Sequence, residues 1–252
     1  MSTPKRFHKR TVVISGASRG IGAAIAHEFA KEGASLVLGY QNDSAAQKET
    51  DQTLKAITKD VYWIKGDSAQ EDTAVKLCQS AVAKFGSLDC VVANAGILHF
   101  APFAQIKEAE LNRLIDVNQK GVYFLLKSAG SIMKKQKKGA VVTISSSAAS
   151  KTSRMYALYA GTKSFVETLT KGFALEYAPF GIRANVVAAG VTDTEMNRVV
   201  LAAAGDSVTN GIPLGRIAQP VDIAQVVTYV CSEDASFITG QVIHADGGLT
   251  QG

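Results

Sequence analysis

Tyr159 and Lys163 stand four residues apart in a stretch whose composition suits a helix, a spacing that places both on one face. An ammonium near a phenol favours the phenolate by about one to three pKa units, roughly 1.4 kcal/mol each. The phenol then becomes a proton donor and acceptor usable near neutrality. Just upstream, ISSS at 144–147 ends an apolar strand, so hydroxyls and phenol come from adjoining segments. Tyr156 lacks the lysine, because four residues on lies Ala160.

A second set of residues suits an anionic cofactor. In TVVISGASRGIG, residues 11–22, four residues with strand preference run into a turn with glycines at 16, 20 and 22, and an Ala-rich helical segment follows. Such a helix start offers unpaired N–H groups and the positive end of the dipole to a diphosphate, and glycines let it approach the backbone. Dinucleotide folds that prefer NAD place an acid after the second strand to hold the ribose 2′-hydroxyl. This chain has Gly39, Tyr40, Gln41 and Asn42 there, with no carboxylate before Asp43, while Ser18 and Arg19 lie between the glycines. Arg19 suits a 2′-phosphate through its planar fork; NADP(H) is therefore expected over NAD(H). After the third strand, Asp67 can accept from an adenine amine or cap a helix. After the fourth, Asn94-Ala95-Gly96 lets the backbone pass close to a cofactor, and Asn94 can tie neighbouring strands together.

The elements that must position these groups alternate along the whole chain. Strands are expected at 11–15, 35–39, 61–65, 88–93, 140–145, 182–188 and 241–244. Helices are expected at 21–32, 43–58, 71–85, 107–136 as a pair, 156–178 and 220–231, with an irregular stretch at 190–215. This alternation specifies α/β architecture: one doubly wound, Rossmann-type domain over 1–252, with a central parallel sheet and helices on both faces. Ligands of such sheets bind beyond the carboxyl ends of the strands. The residues singled out above lie there.

Bulk properties narrow the partners. A chain of 252 residues with 46% hydrophobic content buries a full core, and its longest apolar runs are strand-length, so a soluble protein with no membrane partner is expected. The opening MSTPKRFHKR is basic without an apolar segment, which makes the cytoplasm the expected location. Cys78, Cys90 and Cys231 are widely spaced and read as reduced core thiols, with neither a disulfide framework nor metal-ligand spacing. The net charge of +5 is modest. Lys134, Lys135, Lys137 and Lys138 read as the solvated end of a helix, where cations suit the dipole, or as a docking site for an acidic partner. No aromatic residues interleave with them, so nucleic acid is not an expected partner.

Gly16, Gly20 and Gly22, Asn94-Ala95-Gly96, Asn118, Ser146, Tyr159 and Lys163, in this order and spacing, resemble the short-chain dehydrogenase/reductase family over essentially the whole chain. The resemblance selects Ser146 from the serine run, thirteen residues before Tyr159. It implies that Tyr159 protonates a substrate carbonyl oxygen as hydride arrives, that Ser146 hydrogen-bonds the same oxygen, and that Lys163 binds the nicotinamide ribose and lowers the tyrosine pKa. Asn118, in Asp116-Val117-Asn118, would hold a water in the proton relay. The implied cofactor contacts are Gly16, Ser18, Arg19, Gly20, Ile21, Gly22, Tyr40, Asp67, Asn94, Ala95, Gly96, Tyr159, Lys163, Gly190, Val191, Thr192 and Thr194. No metal is implied.

Two positions depart from the family pattern. Ala189-Gly190 replaces the usual Pro-Gly after the sixth strand, and Tyr40 stands where NAD-dependent members carry their acid. Of the two hydroxyls that follow Gly190, Thr194 fits the family spacing better than Thr192. Within the family, ASRGIG, DVNQKG at 116–121 and the closing 239–248 most resemble 3-oxoacyl-carrier-protein reductases and related carbonyl reductases. This implies an NADPH-dependent reductase acting on a small carbonyl or acyl substrate, either free or bound to an acyl carrier that docks at the lysine cluster, and assembled as a homotetramer. Ile97, Leu98, His99, Phe100, Ala149, Met155, Tyr156 and a mobile lid at 191–215 are expected to frame a fairly apolar pocket. His99 reads as incidental, since Tyr159 already fills the role of acid. The alternatives are an NAD(P)-dependent alcohol dehydrogenase for a sugar, polyol or steroid and, in another class, a non-catalytic NADP(H) sensor; the latter would commonly have lost Ser146, Tyr159 or Lys163.

Overall fold

The structure is a computed structural model that describes residues 5–198, 201 and 206–251. Short apolar strands alternate with helices: β1 (Thr11–Ile14), α1 (Gly20–Lys31), β2 (Ser35–Tyr40), α2 (Ala45–Lys55), β3 (Val61–Lys65), α3 (Glu71–Phe85), β4 (Cys90–Ala93) and α4 (Glu108–Leu114). The second half continues with α5 (Gly121–Gln136), β5 (Gly139–Ser146), α6 (Ala157–Tyr177), β6 (Ile182–Ala189), α7 (Asp206–Asn210), α8 (Pro220–Cys231) and β7 (Val242–Ala245). The strands form one seven-stranded sheet in the order β3-β2-β1-β4-β5-β6-β7, with every pairing parallel. The strand order reverses between β1 and β4, which opens a crevice at their carboxyl ends.

Side chains alternate across the sheet because the strand period is two. On β1, Val12 and Ile14 enter one core with Ile25 and Phe29 of α1 and Ile223 and Val227 of α8. Val13 enters the opposite core with Leu77 of α3, Leu125 and Leu126 of α5 and Val166 of α6. Helices therefore cover both faces, and all four residues of β1 are buried, as central parallel strands require. Cys78, Cys90 and Cys231 are free and buried in these cores, and burial pushes the Cys78 thiol up to about 12.

Two stretches differ from the expected pattern. The expected helix pair is one run in which a π-helical turn, Ile115–Lys120, joins α4 to α5; the cause is at Asn118, described below. The stretch expected to be irregular carries a 3₁₀ turn at Glu195–Asn197 and the short α7, while 199, 200 and 202–205 lie outside the described residues. The lysine cluster closes α5 as expected: Lys137 caps the helix in a left-handed conformation, and Lys134 Nζ lies 4.4 Å from the centre of the Phe180 ring. Among the described residues no helix is long and apolar enough to cross a membrane.

The turn between β1 and α1 is packed too tightly for side chains. Gly16 has φ +65°, and a Cβ on Gly22 would stand 2.2 Å from the Gly16 carbonyl oxygen and 2.5 Å from Asn94 Nδ2. Replacing Gly22 by Ala is expected to destabilise the fold by about 1–3 kcal/mol, a fall in Tm of roughly 2–12 °C. Thermal unfolding followed by circular dichroism checks this, and an unchanged Tm would mean that the turn yields freely.

Candidate active site

The glycine turn leads into α1 without a side-chain cap. Arg19 occupies the N-cap in extended conformation, its side chain makes no capping bond, and the first turn holds no acid. The helix start therefore keeps N–H groups and its positive dipole end available to an anion. The turn is held from the β4 side. Asn94 Nδ2 donates to the carbonyls of Ser15 (3.1 Å) and Gly16 (2.9 Å), and Ser15 Oγ accepts from the amides of Asn94 and Ala95, both at 3.1 Å. Asn94 thus ties β1 to β4 across the crevice, as expected from its position.

A continuous cleft of about 1370 Å³ runs along the carboxyl ends of the strands. Gly16, Ser18, Arg19, Gly20, Ile21, Gly22, Tyr40, Asp67, Asn94, Ala95, Gly96, Gly190, Val191, Thr192 and Thr194 all line it, together with Ser146, Tyr159 and Lys163. A dinucleotide fits this arrangement: small residues and an uncapped helix start at the turn, and an uncharged rim of Tyr40, Gln41 and Asn42 beyond β2. The first carboxylate after that rim, Asp43, is already paired with Lys65, and this contact holds its carboxyl below the usual range. Tyr40 packs edge-on against Trp63, with ring centres 5.6 Å apart.

Asp67 does not cap α3, whose N-cap is Gln70. Its two oxygens take Arg113 Nη1 at 2.8 Å and Nη2 at 3.3 Å, and Oδ1 also accepts from the Ala69 amide. Burial raises its pKa, yet the contacts with Arg113 and Ala69 together hold it below the usual carboxylate value. Among the two hydroxyls after Gly190, Thr192 is buried and donates to the Gly190 carbonyl at 2.9 Å, whereas Thr194 Oγ1 has only a 3.5 Å contact with the Thr192 carbonyl.

At the other end of the cleft, β5 delivers Ser146 and α6 delivers Tyr159 and Lys163, one helical turn apart. Lys163 is buried; its Nζ donates to the Ile144 carbonyl at 2.9 Å and lies 5.7 Å from the centre of the Tyr159 ring. A Cβ on Gly96 would be 3.4 Å from both Lys163 Nζ and Asn118 Oδ1. Asn118 is wholly buried behind the cleft rather than lining it. Its Oδ1 accepts from the Ile97 amide at 2.9 Å, while Nδ2 donates to the Ile97 carbonyl at 2.9 Å and to Thr162 Oγ1 at 3.1 Å. The π-helical turn carries this side chain to the loop after β4 and to α6 together.

One electrostatic expectation is corrected by burial. Lys163 was expected to lower the Tyr159 pKa, yet burial pushes the phenol up to about 12, against a hydrogen bond with Ser146 that lowers it. Burial likewise pushes the ammonium of Lys163 down to about 8. Phenol and lysine are therefore both protonated at neutral pH, a donor arrangement ready to give a proton to an oxygen.

The remaining wall is less apolar than expected. Ile97, Leu98, Phe100 and Tyr156 line it, but so do Lys151, Thr152, Ser153, Arg154 and Arg198. His99, Ala149 and Met155 do not; His99 Nε2 stands 3.4 Å from Glu110 Oε2, and Met155 takes a left-handed turn (φ +70°) with its carbonyl bonded to the Ala101 amide. Phe100, Tyr156 and Tyr159 instead form a row of rings with centres 5.1 and 6.2 Å apart. The sequence reading missed Glu195, which pairs with Arg19 at 2.5 Å. No local pattern signals a pair 176 positions apart.

Residues 16–250 match the family model described as Enoyl-(Acyl carrier protein) reductase. A 3-oxoacyl-[acyl-carrier-protein] reductase FabG of Staphylococcus aureus (strain Mu50 / ATCC 700699) is 35% identical over 240 residues, covering 95% of this chain and 98% of that protein. The L-rhamnose 1-dehydrogenase (NAD(P)(+)) of Azotobacter vinelandii is 33% identical over 246 residues, covering 95% and 96%. Among solved structures, a short-chain dehydrogenase/reductase titled glucose/ribitol dehydrogenase, from Brucella melitensis, superposes with a TM-score of 0.89 at 34% identity, covering 98% of this chain and 99% of that one. With this fold, a cleft along the strand ends and a serine, tyrosine and lysine converging on it, the chain belongs to the short-chain dehydrogenase/reductase family of nicotinamide-dependent oxidoreductases acting on alcohol and ketone groups.

Proposed function

We propose that this protein is an NADPH-dependent reductase of ketone carbonyls, with 3-oxoacyl thioesters and related carbonyl compounds as its substrate class. The observation that carries the reading is the convergence of Tyr159, Ser146 and Lys163 at the inner end of the cleft, with the half-buried phenol hydrogen-bonded to Ser146. The nicotinamide supplies the hydride. Tyr159 donates its proton to the carbonyl oxygen as charge develops there, and Ser146 hydrogen-bonds the same oxygen. Lys163 holds the nicotinamide ribose and, by its positive charge, favours release of the phenolic proton; Asn118 supports the proton relay from behind. Arg19 takes the 2′-phosphate, supported by the uncharged rim after β2 and the neutralised Asp43. The chain acts as one cytoplasmic domain in which 191–215 closes over substrate. Exposed Phe165 and Leu175 on α6, and Phe237 in the loop that leads into the edge strand β7, suit a homotetramer.

A second reading, oxidation of a sugar or polyol, is favoured by the polar wall of Lys151, Thr152, Ser153 and Arg154. A screen with NADPH and NADH against 3-oxoacyl thioesters, carrier-bound chains, activated ketones and, in reverse, sugars and polyols separates the two readings. The absence of turnover with any of these despite tight NADPH binding would overturn both. In that assay Tyr159→Phe is expected to lower kcat by roughly 10²- to 10⁴-fold while NADPH affinity changes little; retention of most activity would remove Tyr159 as the acid.

For carbonyl reduction, Lys163 is needed protonated, so its pKa of about 8 sets a falling limb. The kcat/KM profile is expected to be level near neutrality and to fall tenfold per pH unit above about 8. A profile that rises through that range would contradict the assigned role. Arg19→Ala is expected to weaken NADPH roughly 10- to 100-fold with little change for NADH, the loss of a charge-assisted pair; fluorescence titration of each dinucleotide reads it out.

A further inference from the structure

Arg19, the residue assigned above to the cofactor 2′-phosphate, already has a partner. Its Nη1 meets Glu195 Oε2 at 2.5 Å, linking the glycine turn to the segment after β6. The two segments also touch beside this pair: a Cβ on Gly20 would stand 3.3 Å from Thr194 Cγ2. Among the described residues, Glu195 is the one carboxylate paired with Arg19. The side chains are 59% and 51% exposed, so the pair is weak and readily exchanged. A phosphate offers the guanidinium fork a doubly charged, bidentate partner and outcompetes a solvated carboxylate.

We infer that Glu195 determines dinucleotide specificity by occupying Arg19 until a 2′-phosphate replaces it. The carboxylate and the phosphate compete for one guanidinium, so Glu195 moderates the preference for the phosphorylated dinucleotide. A ligand without the phosphate leaves the pair intact. The inference rests on the NADP(H) reading given above and assigns to Glu195 no part in hydride or proton transfer.

The test is the dissociation constant of NADPH and of NADH, read by fluorescence titration at one ionic strength, for the unaltered protein, Glu195→Gln, Arg19→Ala and the double variant. Glu195→Gln is expected to tighten NADPH by about two- to fivefold and to shift NADH by less than about twofold. In the Arg19→Ala background the gain should disappear, since the two sites are coupled through one contact. Unchanged NADPH affinity in Glu195→Gln overturns the inference. So does an equal shift for both dinucleotides, which would make the pair a clasp over any dinucleotide, and so does a gain that survives in Arg19→Ala, which would mean direct repulsion between Glu195 and the phosphate. If the unaltered protein binds NADH as tightly as NADPH and Arg19→Ala changes neither, the NADP(H) reading itself fails and the inference with it; the first three outcomes leave that reading standing.

Discussion

A buried ammonium organises the inner half of this molecule. Lys163 has almost no access to water and no carboxylate partner among the described residues; Glu167, one turn further along α6, is engaged by the Ser145 hydroxyl at 2.8 Å. Removing a cation from water is costly unless dipoles replace its hydration. The Ile144 carbonyl at the end of β5 supplies one such contact, and small residues supply room: Gly96 lets the backbone after β4 pass beside Nζ. The same burial that lowers the affinity of Lys163 for its proton raises that of Tyr159. Both groups are pushed towards their neutral forms, yet at neutral pH the phenol and the ammonium each keep their proton.

Asn118 extends that constraint into the helix layer. A regular α-helix from α4 into α5 would carry one hydrogen-bonding register throughout; the π-helical turn inserts a wider register where Asn118 bonds the backbone of Ile97 and the hydroxyl of Thr162. π-turns inside longer helices frequently mark functional positions. This one fixes the loop after β4 relative to α6, and so fixes the distance between the floor of the cleft and the residues that act on it. Asn94 performs the corresponding task at the outer end, where its amide bridges the β1 turn. Two side-chain amides, the buried Asn118 and the half-buried Asn94, thus set the two ends of one cleft.

The outer half works with weaker forces. Arg19, Glu195, Asp43 and Lys65 are exposed pairs around the rim, each cheap to make and to break. Rigid hydrogen-bonded geometry lies where the proposed proton transfer takes place, and exchangeable charge lies where a phosphate would arrive. This division agrees with the general need for preorganisation at the reacting centre, and for adaptable contacts at the remote part of a ligand.

Much of this was legible in the linear chain because it is local. The alternation of apolar runs with helical stretches dictates a parallel α/β sheet, since only crossover helices can join parallel strands. The glycine turn, the absence of an acid before Asp43, and the four-residue spacing of Tyr159 and Lys163 are likewise short-range facts. What only the tertiary structure decided depends on burial and on segments far apart in sequence. That Tyr159 has its pKa raised rather than lowered follows from the desolvation that the surrounding elements impose on it. That Asp67 is taken by Arg113, that the substrate wall carries Lys151 and Arg154, and that Arg19 meets Glu195 all follow from packing between elements 46 or more residues apart or from loops folded over the cleft. Periodicity and spacing encode which face a residue takes along its own element; they carry no information on how much water remains around it or which distant side chain arrives beside it.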